Sequence, residues 1–336
     1  MSAKKFFGAI LVLLVFLLTF SIGFFAIASE AAAAEEVFEL KLGHLADPAN
    51  PYALGATKIA ELVEERTDGK LIIKIFPSSQ LGAAEKLVEG LVLGTLDFAM
   101  VTTAVLGQFE PKLLVFGFPY MMRDRDHAFK ALDTIGMELG KNLEDKGVKV
   151  LGYFENGVRH MINNKRQIKT PDDMKGLKMR VMSTPVYIEL MKSLGADPTP
   201  MAFGEVYSAC QQGTIDGLEC PAVHFWQMRF FEVNKYITLT AHTYESEPFL
   251  ISMKTWNKLP EEYQKILVEA TAEALDYSRK IAIEQEAGFF QKIKEAGICQ
   301  IDEVDLAPFV EKSKVVWDKL ESTVGRDLIE RIQAVQ

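Results

Sequence analysis

The chain has 336 residues, with 37 lysines and arginines against 46 aspartates and glutamates, a formal net charge of −9. An acidic chain with scattered charge is not built to bind nucleic acid, and any anion it holds needs a basic site assembled locally. The length suffices for two domains with separate cores, and Cys210, Cys220 and Cys299, an odd set without metal-ligand spacing, are expected as free thiols.

Residues 1–34 read as a secretory signal peptide, which implies a periplasmic protein. Lys4 and Lys5 precede an apolar run over 6–27, and the alanines at 31–34 suit cleavage near Ala34 or after Ala28. The same run is long enough to span a bilayer, so an uncleaved anchor is the alternative.

From Val37 strands and helices alternate. Phe38, Leu40 and Leu42 mark a strand that ends at Gly43 and His44, and a helix follows over 51–66, closed by Gly69. A strand over 71–76, a turn over 77–82, a helix over 83–93 ended by Gly94 and a strand over 95–101 come next. This β-α-β-α-β order implies a parallel sheet whose ligand-binding edge lies beyond the carboxyl ends of its strands. His44, the turn over 78–82, Thr102 and Thr103 fall at those ends. A loop containing Tyr120 leads to a helix over 125–146 and a strand over 148–154, after which the chain crosses into a second domain.

The stretch T-P-D-D-M-K-G-L-K-M-R-V at 170–181 carries the strongest local signal. Thr170 is an N-cap with Pro171 first in the helix, Asp172 and Asp173 in the first turn and Gly176 at its end. In the strand over 177–182, a period of two sets Leu177, Met179 and Val181 on one face and Lys178, Arg180 and Met182 on the other. Arg180 therefore leaves a rigid strand opposite the apolar face, and its planar fork of donors suits a carboxylate. Arg159, just past Gly157 at the end of the strand over 148–154, is placed to converge on the same anion. Further on, a helix over 204–212, strands over 214–219 and 236–240, and an extended apolar run over 248–253 that returns to the first domain make a hinge. A helical pattern over 260–296, with only Gly288 inside, is long enough to span both domains. A strand near Ile298 and two helices close the chain.

Motifs for catalysis and cofactors are absent: no G-x-S-x-G, H-E-x-x-H, C-x-x-C, Walker loop or G-x-G-x-x-G occurs, and the five histidines show no metal-ligand spacing. No enzyme activity, cofactor or metal is expected.

From 37 to 336 the chain resembles the solute-binding proteins of tripartite ATP-independent periplasmic (TRAP) transporters. The matching runs are P-S-S-Q-L-G at 77–82, N-G-V-R at 156–159, D-M-K-G-L-K-M-R-V at 173–181, G-A-D-P-T-P-M-A-F-G-E-V-Y at 195–207 and Q-Q-G-T-I-D-G-L-E at 211–219. The resemblance implies an α/β, two-lobe periplasmic-binding-protein-like (type II) fold with a hinge and a long helix spanning both lobes. We place lobe I at 35–156 plus 246–284 and lobe II at 157–245 plus 285–336. It further implies capture of a small carboxylate by hinge closure and delivery to TRAP membrane subunits, with Arg180 holding the carboxylate, Arg159 assisting and Phe203 lining the cleft. Cys220, Thr102, His44 and Tyr120 join the ligand-binding set by position.

Two departures bear on the substrate. Many relatives carry asparagine where this chain has Cys220, and many sugar-acid binders carry an acidic residue where it has Ala84. Both replacements remove hydrogen-bonding capacity, so a weakly hydroxylated acid is expected. A C4-dicarboxylate, a sugar acid or a ligand-sensing role for a receptor are the alternatives.

Overall fold

Two long strands organise the molecule. β4 (Val148–Asn163) and β8 (Tyr236–Ser252) have 16 and 17 residues and lie antiparallel, side by side, in a nine-stranded sheet. In one half of the sheet, β8 is flanked at Phe249, Leu250 and Ile251 by β3 (Phe98–Met100). β1 (Phe38–Gly43) and then β2 (Leu71–Phe76) continue outward. In the other half, β4 is flanked from Arg159 to Asn163 by β7 (Gly217–Pro221), with β5 (Lys178–Val181) and β6 (Asp197–Pro200) beyond it. There β8 pairs through Tyr236 to Leu239 with β9 (Gln300–Glu303). The same two strands thus serve two α/β lobes and cross between them without breaking. The computed structural model describes residues 37–336, of which 39–336 form one compact unit; the signal peptide expected at 1–34 lies outside the described residues.

The sequence pattern ends a strand before Arg159 and divides 236–252 in two; the structure corrects both. Polar residues interrupt the apolar alternation there, namely Glu155 and Asn156 on β4 and Glu245, Ser246 and Glu247 on β8. All five are nonetheless buried within a continuous ladder. The ladder absorbs the irregularity as a register shift between Glu155 and Gly157, where Gly157 adopts φ 125°, a value residues with a Cβ rarely adopt. The helix expected over 125–146 has those bounds but changes type along its length, with a π-type segment at Leu132–Gly136 and a 3-10 segment at Lys141–Lys146. At the end of the π-type segment the hydroxyl of Tyr153, from β4, donates to the Gly136 carbonyl at 2.9 Å.

The helix Glu261–Ala296 runs uninterrupted through Gly288. Its 36 residues span about 54 Å, enough to pack on the helix Pro51–Arg66, on β4 and on the helix Ala222–Gln227. The closing helices Ala307–Val324 and Arg326–Gln333 also touch both halves: Trp317 donates to the Pro119 carbonyl at 2.9 Å and Lys312 pairs with Asp172 at 2.6 Å. No helix among the described residues is long and apolar enough to cross a membrane.

Candidate functional site

A cavity of about 60 Å³ opens where the two sets of strands face each other, with Tyr52, Ala84 and Thr102 on one wall and Arg159, Arg180, Phe203 and Cys220 on the other. The local chain explains how Arg180 arrives there. Thr170 and Asp173 form a capping box, Gly176 turns the chain at φ 72°, and β5 starts at once. Met179 and Val181 are fully buried in the core, so Arg180 projects from the opposite face, with Thr199 of β6 and Leu218 of β7 beside it in the sheet.

Arg180 is 3 % exposed. Its Nε and Nη2 donate to the Met201 carbonyl at 3.0 and 2.8 Å, and its guanidinium carbon lies 5.6 Å from the centre of the Phe203 ring. Neither partner carries a formal charge. Among the described residues no carboxylate forms an ion pair with it, and Nη1 has no hydrogen-bond partner. Burial pushes its pKa down to about 10; Glu219 opposes the shift and Arg159 reinforces it. The group remains charged at neutral pH, a buried cation short of a counter-charge.

Arg159 is placed differently. Its Nε and Nη2 hold the Glu219 carboxylate at 2.5 and 2.9 Å, and Nη2 also donates to the Glu219 carbonyl at 2.8 Å. Burial opposes the charge on Glu219, but Arg159 and His242 outweigh it and keep the carboxyl below its ordinary range. The Arg159 charge is therefore matched within the protein. It faces the cavity as a secondary donor, stacked 5.1 Å from the Tyr187 ring centre.

A third group completes the wall. His224 Nε2 donates to Asn156 Oδ1 at 2.9 Å, and Asn156 Nδ2 donates to Glu247 Oε2 at 2.6 Å. Burial, aided by Arg159 and Arg180, lowers the His224 pKa to about 3, so the ring is neutral. Burial also pushes Glu247 up to about 8, against the pull of Asn156.

Of the residues read from the sequence, Arg180, Arg159, Phe203, Cys220 and Thr102 line this cavity. His44 does not. It is 1 % exposed, and Tyr52, whose ring meets its own edge-on at 5.9 Å, occupies the wall instead. Tyr120 lies elsewhere, its hydroxyl donating to the Thr240 carbonyl at 3.2 Å, beside a separate depression bordered by Arg123 and Tyr244. Ala84 is on the wall as expected, but the half-buried Glu85 beside it lines the cavity too and adds to the field at Arg180, so acidic character is not lost at that edge. The sequence reading missed Tyr52, Glu85, Asn156, His224 and Glu247. Tyr52 had a signal: Asn50 caps the helix by accepting from the Tyr52 amide at 3.1 Å, and Pro51 holds the first turn at the sheet edge.

Residues 42–323 match the family described as bacterial extracellular solute-binding protein, family 7. The chain belongs to that family. This solute-binding protein is 36 % identical to the 2,3-diketo-L-gulonate-binding periplasmic protein YiaO of Escherichia coli, over 94 % of this chain and 97 % of YiaO. Its fold is similar to that of a TRAP periplasmic solute-binding protein from Sulfurospirillum deleyianum with bound succinate. There the TM-score is 0.86 and the identity 33 %, over 90 % of this chain and all of that one. A TRAP solute-binding protein from a Polaromonas species bound to D-erythronate matches with TM-score 0.86 and 35 % identity, over 89 % of this chain and 99 % of that one. The resemblance read from the motifs therefore holds, as does the two-lobe α/β fold, and the family is one of binding proteins, not enzymes.

Proposed function

We propose that this solute-binding protein captures a small, weakly hydroxylated organic acid between its lobes and delivers it to TRAP membrane subunits. Arg180 takes the ligand carboxylate and Arg159 assists. The observation that carries this reading is the state of Arg180, a buried guanidinium held by a carbonyl and a ring, with Nη1 uncommitted and no carboxylate paired to it. An incoming carboxylate supplies the missing charge in a site shielded from water, where charge-assisted hydrogen bonds are strong and directional. Succinate, D-erythronate and diketogulonate, named for the relatives, are all small acids. Ala83, Ala84, Met182, Met201, Phe203 and Cys220 give the wall an apolar stretch that favours few hydroxyls.

Closure follows from the ligand touching both walls, since contacts stabilise a closed state only to the extent that they are stronger there. We place the hinge where the lobe boundaries cross the central strands, at 156–157 and 245–246. Glu155 is paired with Ser246 and Gly157 with Glu245, so both crossings fall at one register shift.

The test is a thermal-shift screen of organic acids on the wild type and on Arg180→Ala. A ligand at a hundredfold excess over its Kd adds about 2.7 kcal/mol, a shift of a few degrees. A shift with one class of acid that disappears in the variant is the expected result. A shift that persists in the variant removes Arg180 as the anchor.

A further inference from the structure

We propose that Glu247 is the second recognition point of this cleft, a neutral carboxylic acid that donates a hydrogen bond to an acceptor-only oxygen, keto or carboxylate, on the ligand end remote from Arg180. The protein would then select oxo acids or dicarboxylic acids over simple monoacids and polyhydroxy acids. This rests on the carboxylate-capture reading above.

The geometry around Glu247 points to a donor. Glu247 is 1 % exposed on β8, lines the cavity, and has no ion pair with any cation among the described residues. Oε2 is taken by Asn156 Nδ2 at 2.6 Å. The Asn156 amide has this orientation when the neutral His224 carries its proton on Nε2, which lies 2.9 Å from Asn156 Oδ1. Among the described residues no group hydrogen-bonds the other oxygen of Glu247. The charged and titratable groups packed around it do not supply a counter-charge either. From the helix Pro51–Arg66 comes Tyr52, a buried phenol whose pKa Glu247 helps to raise. From its own strand comes Glu245, occupied by the Ala104 amide at 3.2 Å and the Tyr187 hydroxyl at 2.7 Å, which adds like charge. From β4 comes Arg159, already matched by Glu219. A carboxyl so enclosed is more stable neutral, and burial has pushed it up to about 8.

With one oxygen satisfied, a neutral carboxyl offers the cavity one O–H. A keto or carboxylate oxygen needs only that donor. A hydroxyl there would bring a hydrogen that itself needs an acceptor, and a methyl group would leave the O–H unpaired; both are penalised in a buried site.

The experiment is titration calorimetry with pentanoate, 4-oxopentanoate, succinate, glutarate and D-erythronate between pH 6 and pH 9.5, on the wild type, Glu247→Gln and Arg180→Ala. The expected best ligand is 4-oxopentanoate or a dicarboxylate, at least about tenfold tighter than pentanoate and D-erythronate. Its affinity should fall by about tenfold per pH unit above about pH 8, as the donor proton is lost. Glu247→Gln keeps a donor that does not titrate, so the preference should remain and the pH dependence should vanish. A best ligand that is pentanoate or D-erythronate, a flat wild-type profile, or an unchanged slope in Glu247→Gln overturns the proposal while Arg180-dependent binding leaves the capture reading intact. If no acid binds, or if Arg180→Ala binds like the wild type, the capture reading itself falls and this one with it.

Discussion

Arg180 and Arg159 are equally buried, yet their removal should have opposite consequences. Arg180→Met takes away a cation that no protein carboxylate balances, so the ligand-free fold should keep its stability or gain up to about 2 kcal/mol. Acid binding should weaken by about 2–5 kcal/mol, because the ligand carboxylate would then be buried unpaired. Arg159→Met strands Glu219, which is fully buried and held at 2.5 Å, and should destabilise even the empty protein by about 3–5 kcal/mol. Denaturant melts of the two variants without ligand make the comparison; equal losses would mean that Arg180 is balanced from within the protein after all. At this scale the sequence was legible where a periodicity fixed a direction. The strand pattern around Met179 and Val181 aimed Arg180, and the motif carried Phe203. It was silent on Asn156, His224 and Glu247, because their roles arise from one another: a neutral histidine orients an amide, which satisfies one carboxyl oxygen, and the three are far apart in the chain.

At the level of elements, the short strands and the helices of the first half emerge from apolar periodicity and caps, and the helix Pro51–Arg66 has the bounds the pattern gives. β4 and β8 do not, since alternation fails where their buried glutamates begin. What keeps such strands together is backbone pairing and close approach, as Gly217 illustrates. A Cβ on Gly217 would stand 2.2 Å from the Ile162 carbonyl oxygen of β4, a backbone atom that cannot swing away. Gly217→Ala must therefore push β7 off β4, at a loss of about 3 kcal/mol or more. β7 also delivers Glu219 and Cys220, so the same substitution should weaken acid binding although Gly217 lies outside the cavity wall. Equilibrium unfolding and calorimetry on this one variant read both effects. A stable variant with intact binding would show that β7 can shift without disturbing the Arg159 pair.

For the molecule as a whole, the buried titratable groups divide into two opposed sets, and their balance predicts the pH of greatest stability. Burial lowers His44 to about 4 and His160 and His224 to about 3, and it lowers His242 as well. Each is neutral when folded but charges near pH 6.5 when unfolded, so its contribution is full above pH 6.5 and declines as pH falls toward the folded value. Burial raises Glu155, Glu245 and Glu247, the last to about 8. Each of these is more protonated when folded, so its contribution is full below the unfolded value near 4.5 and is lost as pH rises through the folded one. Between about pH 4.5 and pH 6.5 the two sets act in opposite directions, each group changing stability by up to about 1.4 kcal/mol per unit, and the four histidines outweigh the three carboxyls. Below that window only the histidines remain in play, joined by Glu219, whose lowered carboxyl loses its pair with Arg159 as it protonates. Above it Glu247, raised to about 8, is still in play. The ligand-free protein should thus melt highest near pH 6–6.5, fall steeply below pH 4.5 and decline gradually toward pH 8. Glu247→Gln should flatten the upper limb, raising the melting temperature at pH 8 while leaving it unchanged at pH 4.5, because an amide there has no ionised form to disfavour the fold. A wild-type maximum at pH 8 or above, or a variant that gains nothing there, would show that the central carboxyls are ionised in the folded protein.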